Sequence, residues 1–284
     1  VTTMMGLGLM PSSHPLYLGM LGSFGCSAAN YAIHHSDLLI LIGTRAGDRA
    51  MRQPGVLERR TRIIHIDIDP AEIRKNMEAN IPLVADARLV LEELCETCQA
   101  TDTGMWLAEL REKQGSGAPF SDRPAFVNPH RLIAALTQAL DSDAVYVADV
   151  GLNQIWSARS SRIKEGRFLT SGGMGTMGYA LPAAMGARLA TTARQVVAVM
   201  GDGGFQMSMQ ELATLCQHDI PVKMVVLRND CLGLVRQIQK QDYAERYEAV
   251  DLVGSPDFAA LAQVYGIRPM TISDNDEIDE AVQA

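Results

Sequence analysis

The stretch 196–230, VVAVMGDGGFQMSMQELATLCQHDIPVKMVVLRND, decides the fold. Val196–Met200 is a short apolar run stopped by Gly-Asp-Gly-Gly, which reads as a buried strand and a tight turn. Met209–His218 has helical spacing, and Val222–Leu227 is a second apolar strand. Strand, helix, strand is the parallel crossover unit. Asp202 follows the first strand, and Asn229, 27 residues later, follows the second. Both therefore emerge at the same edge of one sheet, where α/β folds bind ligands. Gly201, Gly203 and Gly204 let the backbone approach a ligand there. One carboxylate and one amide oxygen side by side are hard ligands suited to octahedral Mg²⁺, with positions left open for substrate phosphates.

The alternation continues in both directions. Val145–Asp149 reads as a strand, Tyr179–Ala190 as a helix of small residues, and Ser255-Pro256 as the cap of a helix running through Tyr265. In the first half Leu38–Ile42, Arg62–Asp69 and Ile81–Ala85 read as strands. Ala71–Asn76 reads as a helix start, and Asp86–Thr97 and Trp106–Lys113 as helices. Residues 115–128 carry Gly, Pro and Ser without periodicity and read as a linker. Asn128-Pro129 restarts a helix with an N-cap and a first-turn proline. The expectation is α/β with two parallel-sheet domains, 1–114 and 129–284, and no solenoid-type repeat.

Hydrophobic residues make up 47% of the 284 and charged residues 20%, so the chain can bury a core and is not disordered. A net charge of −8 gives no attraction for phosphate backbones, so no nucleic-acid partner is expected. No apolar run approaches the ~20 residues of a membrane span, and no signal peptide opens the chain. The five cysteines are an odd number, which argues for a reducing cytosol. Cys95 and Cys98 read as two thiols on one helix, because a structural zinc site needs four ligands. The chain opens on Val1 inside an apolar run and closes on Asp276–Ala284, a helix start, so a fragment cut at both ends is expected.

With Gly201-Asp202-Gly203 and Asn229, the block 171–186, SGGMGTMGYALPAAMG, resembles the thiamine-diphosphate enzymes. Further blocks are LGMLGSFGCSAAN (18–30), DLLILIGTRAGDR (37–49), HIDIDPAEI (65–73), DVGLNQIW (149–156) and LGLVRQIQ (232–239). Together they resemble the acetolactate synthase large-subunit family over nearly the whole chain. The resemblance implies a Rossmann-like middle domain and a thiamine-diphosphate-binding domain. It implies condensation of pyruvate with a second 2-keto acid, with loss of CO₂, through a thiamine diphosphate carbanion, in branched-chain amino-acid biosynthesis. Asp202 and Asn229 would bind Mg²⁺ by side chains and Cys231 by its carbonyl. Gly151, Leu152, Asn153, Gly201, Gly203, Gly204, Gly233 and Leu234 match cofactor-contacting segments. Met177 would wedge the cofactor into a V shape, the carbonyl of Gly175 would accept from its amino group, and Arg49 would orient the second acid's carboxylate. Gly22, Gly43, Thr44, Arg45, Asp67 and Asp86 sit where FAD would lie; the plain reading of Asp67 and Asp69 is helix capping beside Pro70.

The resemblance also implies a homodimer or tetramer, a small regulatory subunit and a cytoplasmic or stromal location. The family's activating glutamate lies in an N-terminal domain supplied across a dimer interface, so this chain alone is expected to be inactive. Leu152 stands where relatives often carry Gln, and Arg228 where they carry Asn. Phe24 replaces a His common in the family's glycine segment, and Arg45-Ala46-Gly47-Asp48-Arg49 departs from its RFDDR pattern. Ile238 replaces a tryptophan of the acceptor pocket, so a weaker preference for 2-ketobutyrate over pyruvate is expected. The alternatives are another thiamine-diphosphate carboligase or decarboxylase, such as a glyoxylate carboligase, and a non-catalytic nucleotide-binding module.

Overall fold

The computed structural model describes residues 1–115, 121–191 and 194–284. Two compact units divide it. One takes Val1–Thr3 and the chain from Leu16 onward; the other takes Met4–Pro15 and the chain from 121 onward.

The first unit contains α1 (Ser27–His35), β1 (Leu38–Ile42), α2 (Pro54–Glu58), β2 (Arg62–Asp67), β3 (Ile81–Val84), α3 (Ala87–Thr97) and α4 (Gly104–Gly115). Its three strands are parallel in the order β1-β2-β3, with Ile40 opposite Ile64 and Ile64 opposite Ile81. The β-branched and leucine-rich runs fit a pleated sheet, and alternate residues divide between its faces. Leu39, Leu41 and Ile63 enter a core with Ile33, Leu57 and Leu110. Leu38, Ile40 and Ile42 on the edge strand β1 stay exposed. Ala71–Asn76, expected to start a helix, forms turns instead. Asp67 Oδ1 accepts from Asp69 N–H, and Asp69 Oδ1 accepts from Ala71 N–H, 2.9 Å each. These aspartates close local turns around Pro70 rather than cap a helix.

The second unit contains α5 (Pro129–Ala139), β4 (Val145–Ala148), α6 (Leu152–Ser160), β5 (Arg167–Thr170), α7 (Ala180–Ala190), β6 (Val196–Gly201), α8 (Asp202–Gln206), α9 (Glu211–Gln217), β7 (Lys223–Leu227), α10 (Gly233–Asp242), α11 (Phe258–Val264) and α12 (Ile278–Gln283). Its sheet is parallel in the order β5-β4-β6-β7. The helix expected over Met209–His218 is the shorter α9, preceded by the separate turn of α8. Both central strands are buried along their length, apart from the last residue of β6. Val145, Val147, Ala198 and Met200 pack with Ala180, Leu181 and Ala184 of α7, whose small side chains allow close approach. The cap expected at Ser255-Pro256 belongs to Asp257, which accepts from Ala259 and Ala260 N–H at 2.9 and 3.0 Å. Of the expected linker, 116–120 lies outside the described residues; within it Asp122 pairs with Asn128 and Arg131, 2.8 Å each. Among the described residues no helix is long and apolar enough to cross a membrane.

The strand order creates a crevice. The connection leaving β4 goes to β5 on one side, and that leaving β6 goes to β7 on the other. Between the carboxyl ends of β4 and β6 the sheet changes direction, and such a switch point leaves room for a ligand.

Candidate active site

A cleft of about 100 Å³ opens at this switch point. Val150–Asn153 after β4, Gly201–Gly204 after β6, Asn229 and Cys231–Val235 after β7, and Met177 line it. The backbone explains why glycine is needed. Gly151 has φ +133° and ψ −159°, a conformation confined to glycine. A Cβ on Gly233 would stand 2.7 Å from Leu152 Cδ1 and 2.9 Å from Asn229 Nδ2, so the two loops approach closely there. Neither α6 nor α10 has a side-chain cap. Their first-turn N–H groups thus remain available at the cleft, with the positive ends of two helix dipoles.

Asp202 is 1% exposed and forms no ion pair among the described residues. Its Oδ1 accepts from Gly203 N–H at 2.9 Å, and its Oδ2 from Asn229 and Asp230 N–H at 3.0 and 2.6 Å. The two donors converge because Asp230 adopts φ +54°, a left-handed turn that Asp tolerates. Asn229 Oδ1 accepts from Cys231 N–H at 3.2 Å. One acceptor site remains on Asp202 Oδ1 and one on Asn229 Oδ1. A buried carboxylate without a countercharge is costly, and a divalent cation would relieve that cost. Leu232 N–H donates to Val250 O at 2.7 Å, and Leu252 N–H to Asp230 O at 2.9 Å. In that antiparallel bridge of Cys231 with Asp251, the carbonyl of Cys231 faces away from its partner strand. Among the described residues no group of three or more His, Cys, Asp or Glu could hold a metal ion. The donor set therefore fits a hard cation carrying a diphosphate, with N–H groups of α6 and α10 for the remaining phosphate oxygens.

Asn153 lines the cleft, and its side chain is committed within the fold. Its Nδ2 donates to Asp149 O at 2.7 Å and Val199 O at 3.3 Å, bridging the ends of β4 and β6. Both amide hydrogens are used, so only the backbone of Asn153 is left to meet a diphosphate. Gly175 and Ile238 do not line the cleft. Gly175, with φ +67°, donates to Ser171 O at 3.1 Å, and Ile238 is 38% exposed on α10. Trp156, the last residue of the block DVGLNQIW, also lines it and was not among the expected site residues. Asp149 was also missed as a site residue, although it directly follows a buried strand and stands two residues before a glycine.

The remaining expected residues lie in the first unit. Gly43 has φ +57° and donates to Ile66 O at 2.9 Å, and the Thr44 carbonyl lies 3.0 Å from His65 Nε2. The Arg45 carbonyl accepts from Asn76 Nδ2 at 2.8 Å. Asp67 ends β2, and Asp86 caps α3 by accepting from Arg88 N–H at 2.8 Å. These groups share the carboxyl edge of β1, β2 and β3. Gly22 is bracketed by the Asn30 amide at 2.8 and 3.0 Å, and its neighbour Ser23 donates to Arg49 O at 3.0 Å. Thus Gly22 and Arg49 meet through backbone, and the Arg49 side chain is exposed.

Two family models match. Residues 149–284 match the thiamine pyrophosphate enzyme C-terminal TPP binding domain, and residues 1–94 the thiamine pyrophosphate enzyme central domain. The chain belongs to the thiamine pyrophosphate enzymes. It is 42% identical to a probable acetolactate synthase large subunit of Methanocaldococcus jannaschii, over 99% of this chain and 50% of that one. It is 39% identical to the acetolactate synthase large subunit of Lactococcus lactis, over 97% and 49%, and 40% identical to the acetolactate synthase of Mycobacterium avium, over 100% and 48%. The chain spans about half the length of the curated relatives it matches. As a thiamine pyrophosphate enzyme it carries the cleft described above within its matched C-terminal domain.

Proposed function

We propose that this chain is the cofactor-holding part of an acetolactate synthase, which joins pyruvate to a second 2-keto acid with release of CO₂. The observation that carries the reading is the pairing of Asp202 and Asn229 at the switch-point cleft, with glycine-lined N–H groups on both sides. When bound, thiamine diphosphate supplies a carbon nucleophile and an electron sink for decarboxylation. Asp202 and Asn229 side chains and the Cys231 carbonyl would hold Mg²⁺, and the turns at 151–153, 201–204 and 233–234 the diphosphate. Met177 projects into the same cleft and would support the cofactor's rings, while the apolar walls of Leu152, Leu232 and Leu234 exclude water. The Gly175 carbonyl, Arg49 and Ile238 keep their expected roles toward the aminopyrimidine and the acceptor acid, supported by the motifs in which they stand.

The same reading takes FAD at the carboxyl edge of β1, β2 and β3, where Gly43, Thr44, Arg45, Asp67 and Asp86 gather. It makes the working enzyme at least a dimer, open to a small regulatory subunit, and cytoplasmic. The five free cysteines accord with a reducing compartment.

The test is 2-acetolactate formation from pyruvate with thiamine diphosphate and Mg²⁺, measured against acetaldehyde in the protein that carries this chain. Asp202→Ala should lower acetolactate by at least 10²-fold, because the buried charge that recruits the cation is gone. Acetaldehyde as the sole product would move the protein to the decarboxylases, and full activity in Asp202→Ala would remove the metal assignment.

A further inference from the structure

Asp149 has no part in the cation and diphosphate contacts above, yet it is completely buried at the end of β4. Its Oδ1 accepts from Val150 N–H at 2.8 Å and Gly178 N–H at 3.0 Å, and its Oδ2 from Ala180 N–H at 2.8 Å. No ion pair balances it among the described residues, and burial pushes its carboxyl above the usual carboxylate range against those three donors. A Cβ on Gly204 would lie 2.6 Å from Oδ1, so the carboxylate also sits hard against the Gly-Asp-Gly-Gly turn. One side chain thus joins three loops: the end of β4, the turn before α7, and the turn after β6. The middle loop carries Met177, whose Cε lies 3.4 Å from where a Gly203 Cβ would stand. Gly178, the next residue, has φ +82° and packs on Met207.

We propose that Asp149 is a positioning residue that fixes the 175–180 turn, so that Met177 stands in the cleft before any ligand arrives. A buried charge that accepts only backbone N–H groups orders those groups more strongly than a neutral acceptor does. An asparagine cannot replace it, because its NH₂ group would face either the Gly178 and Val150 N–H groups or that of Ala180. This inference rests on the thiamine diphosphate reading: the turn matters only if a ring system sits against Met177.

The experiment compares two probes on the whole chain, Mg²⁺–pyrophosphate and Mg²⁺–thiamine diphosphate, by titration calorimetry. The unvaried chain should bind thiamine diphosphate more tightly. Asp149→Asn should weaken thiamine diphosphate about tenfold, the loss of one hydrogen bond to a charged group, and leave pyrophosphate affinity within about twofold. Met177→Ala should give the same selective loss, and the double variant should add nothing to it. Equal loss of both probes in Asp149→Asn, or no loss of either, overturns the positioning role. Failure of the unvaried chain to bind either probe overturns the cofactor reading instead. Hydrogen exchange on the unvaried chain covers the case in which Asp149→Asn does not fold. The Gly178 amide should be protected without ligand, and exchange there as fast as at the exposed Met174 would also overturn the proposal.

Discussion

Gly151 shows how much one residue can carry at the cleft. Its backbone conformation is open to no other residue without strain. Gly151→Ala should cost on the order of 1–3 kcal/mol in the urea-unfolding free energy, and abolish Mg²⁺–pyrophosphate binding as the α6 first turn swings away. An alanine variant of unchanged stability and affinity would show that the loop has another conformation within reach. Single residues divide sharply in what their sequence reveals. Asp202 and Asn229 were legible because a strand–helix–strand unit converts 27 residues of separation into adjacency. Asp149 was not, since its contacts come from three different connections meeting at one point. The commitment of the Asn153 amide to two carbonyls is likewise invisible in DVGLNQIW, because the second carbonyl, that of Val199, is 46 residues away.

At the scale of elements, sequence signals worked where a local reason existed. Asn128 caps α5 and Pro129 opens it, as the Asn-Pro pair implies. Apolar strands were readable for the same reason, yet β5 and the helices α1, α6 and α10 were missed. Their patterns are mixed, and tertiary packing decides them. Ala71–Asn76 failed because two aspartates offered the backbone closer partners than a helix would. The contact between α5 and α6 has a pH signature. His130 Nδ1 lies 2.6 Å from Ser160 Oγ, with Trp156 edge-on to the ring. Burial, with the nearby Arg159, lowers its pKa from 6.5 to about 4. A depressed value means that the unfolded chain takes up the proton first as pH falls. The stability from the neutral imidazole is complete above about pH 6.5 and drains away toward pH 4. His130→Gln should therefore flatten the fall in urea midpoint between pH 6.5 and 4.5 relative to the parent; parallel curves would mean that His130 titrates normally.

For the molecule as a whole, each unit has its own sheet and its own core. The four-stranded sheet buries its central strands and exposes none of their large apolar side chains, whereas the three-stranded sheet ends at β1 with Leu38, Ile40 and Ile42 46%, 40% and 41% exposed. An edge strand offers unpaired N–H and C=O groups, and three branched or leucine side chains beside them form a template for another copy. The net charge of −8 opposes association at long range, but salt screens it within about 8 Å at physiological ionic strength. Raising salt should thus lower the concentration at which light scattering by the chain begins, and Ile40→Lys should restore it by placing a charge on the edge. No change in Ile40→Lys would locate the sticky surface elsewhere. If Ile40→Lys restores the threshold, colloidal behaviour, and with it the yield and shelf life of any preparation, follows from a strand remote in sequence from every residue of the cleft.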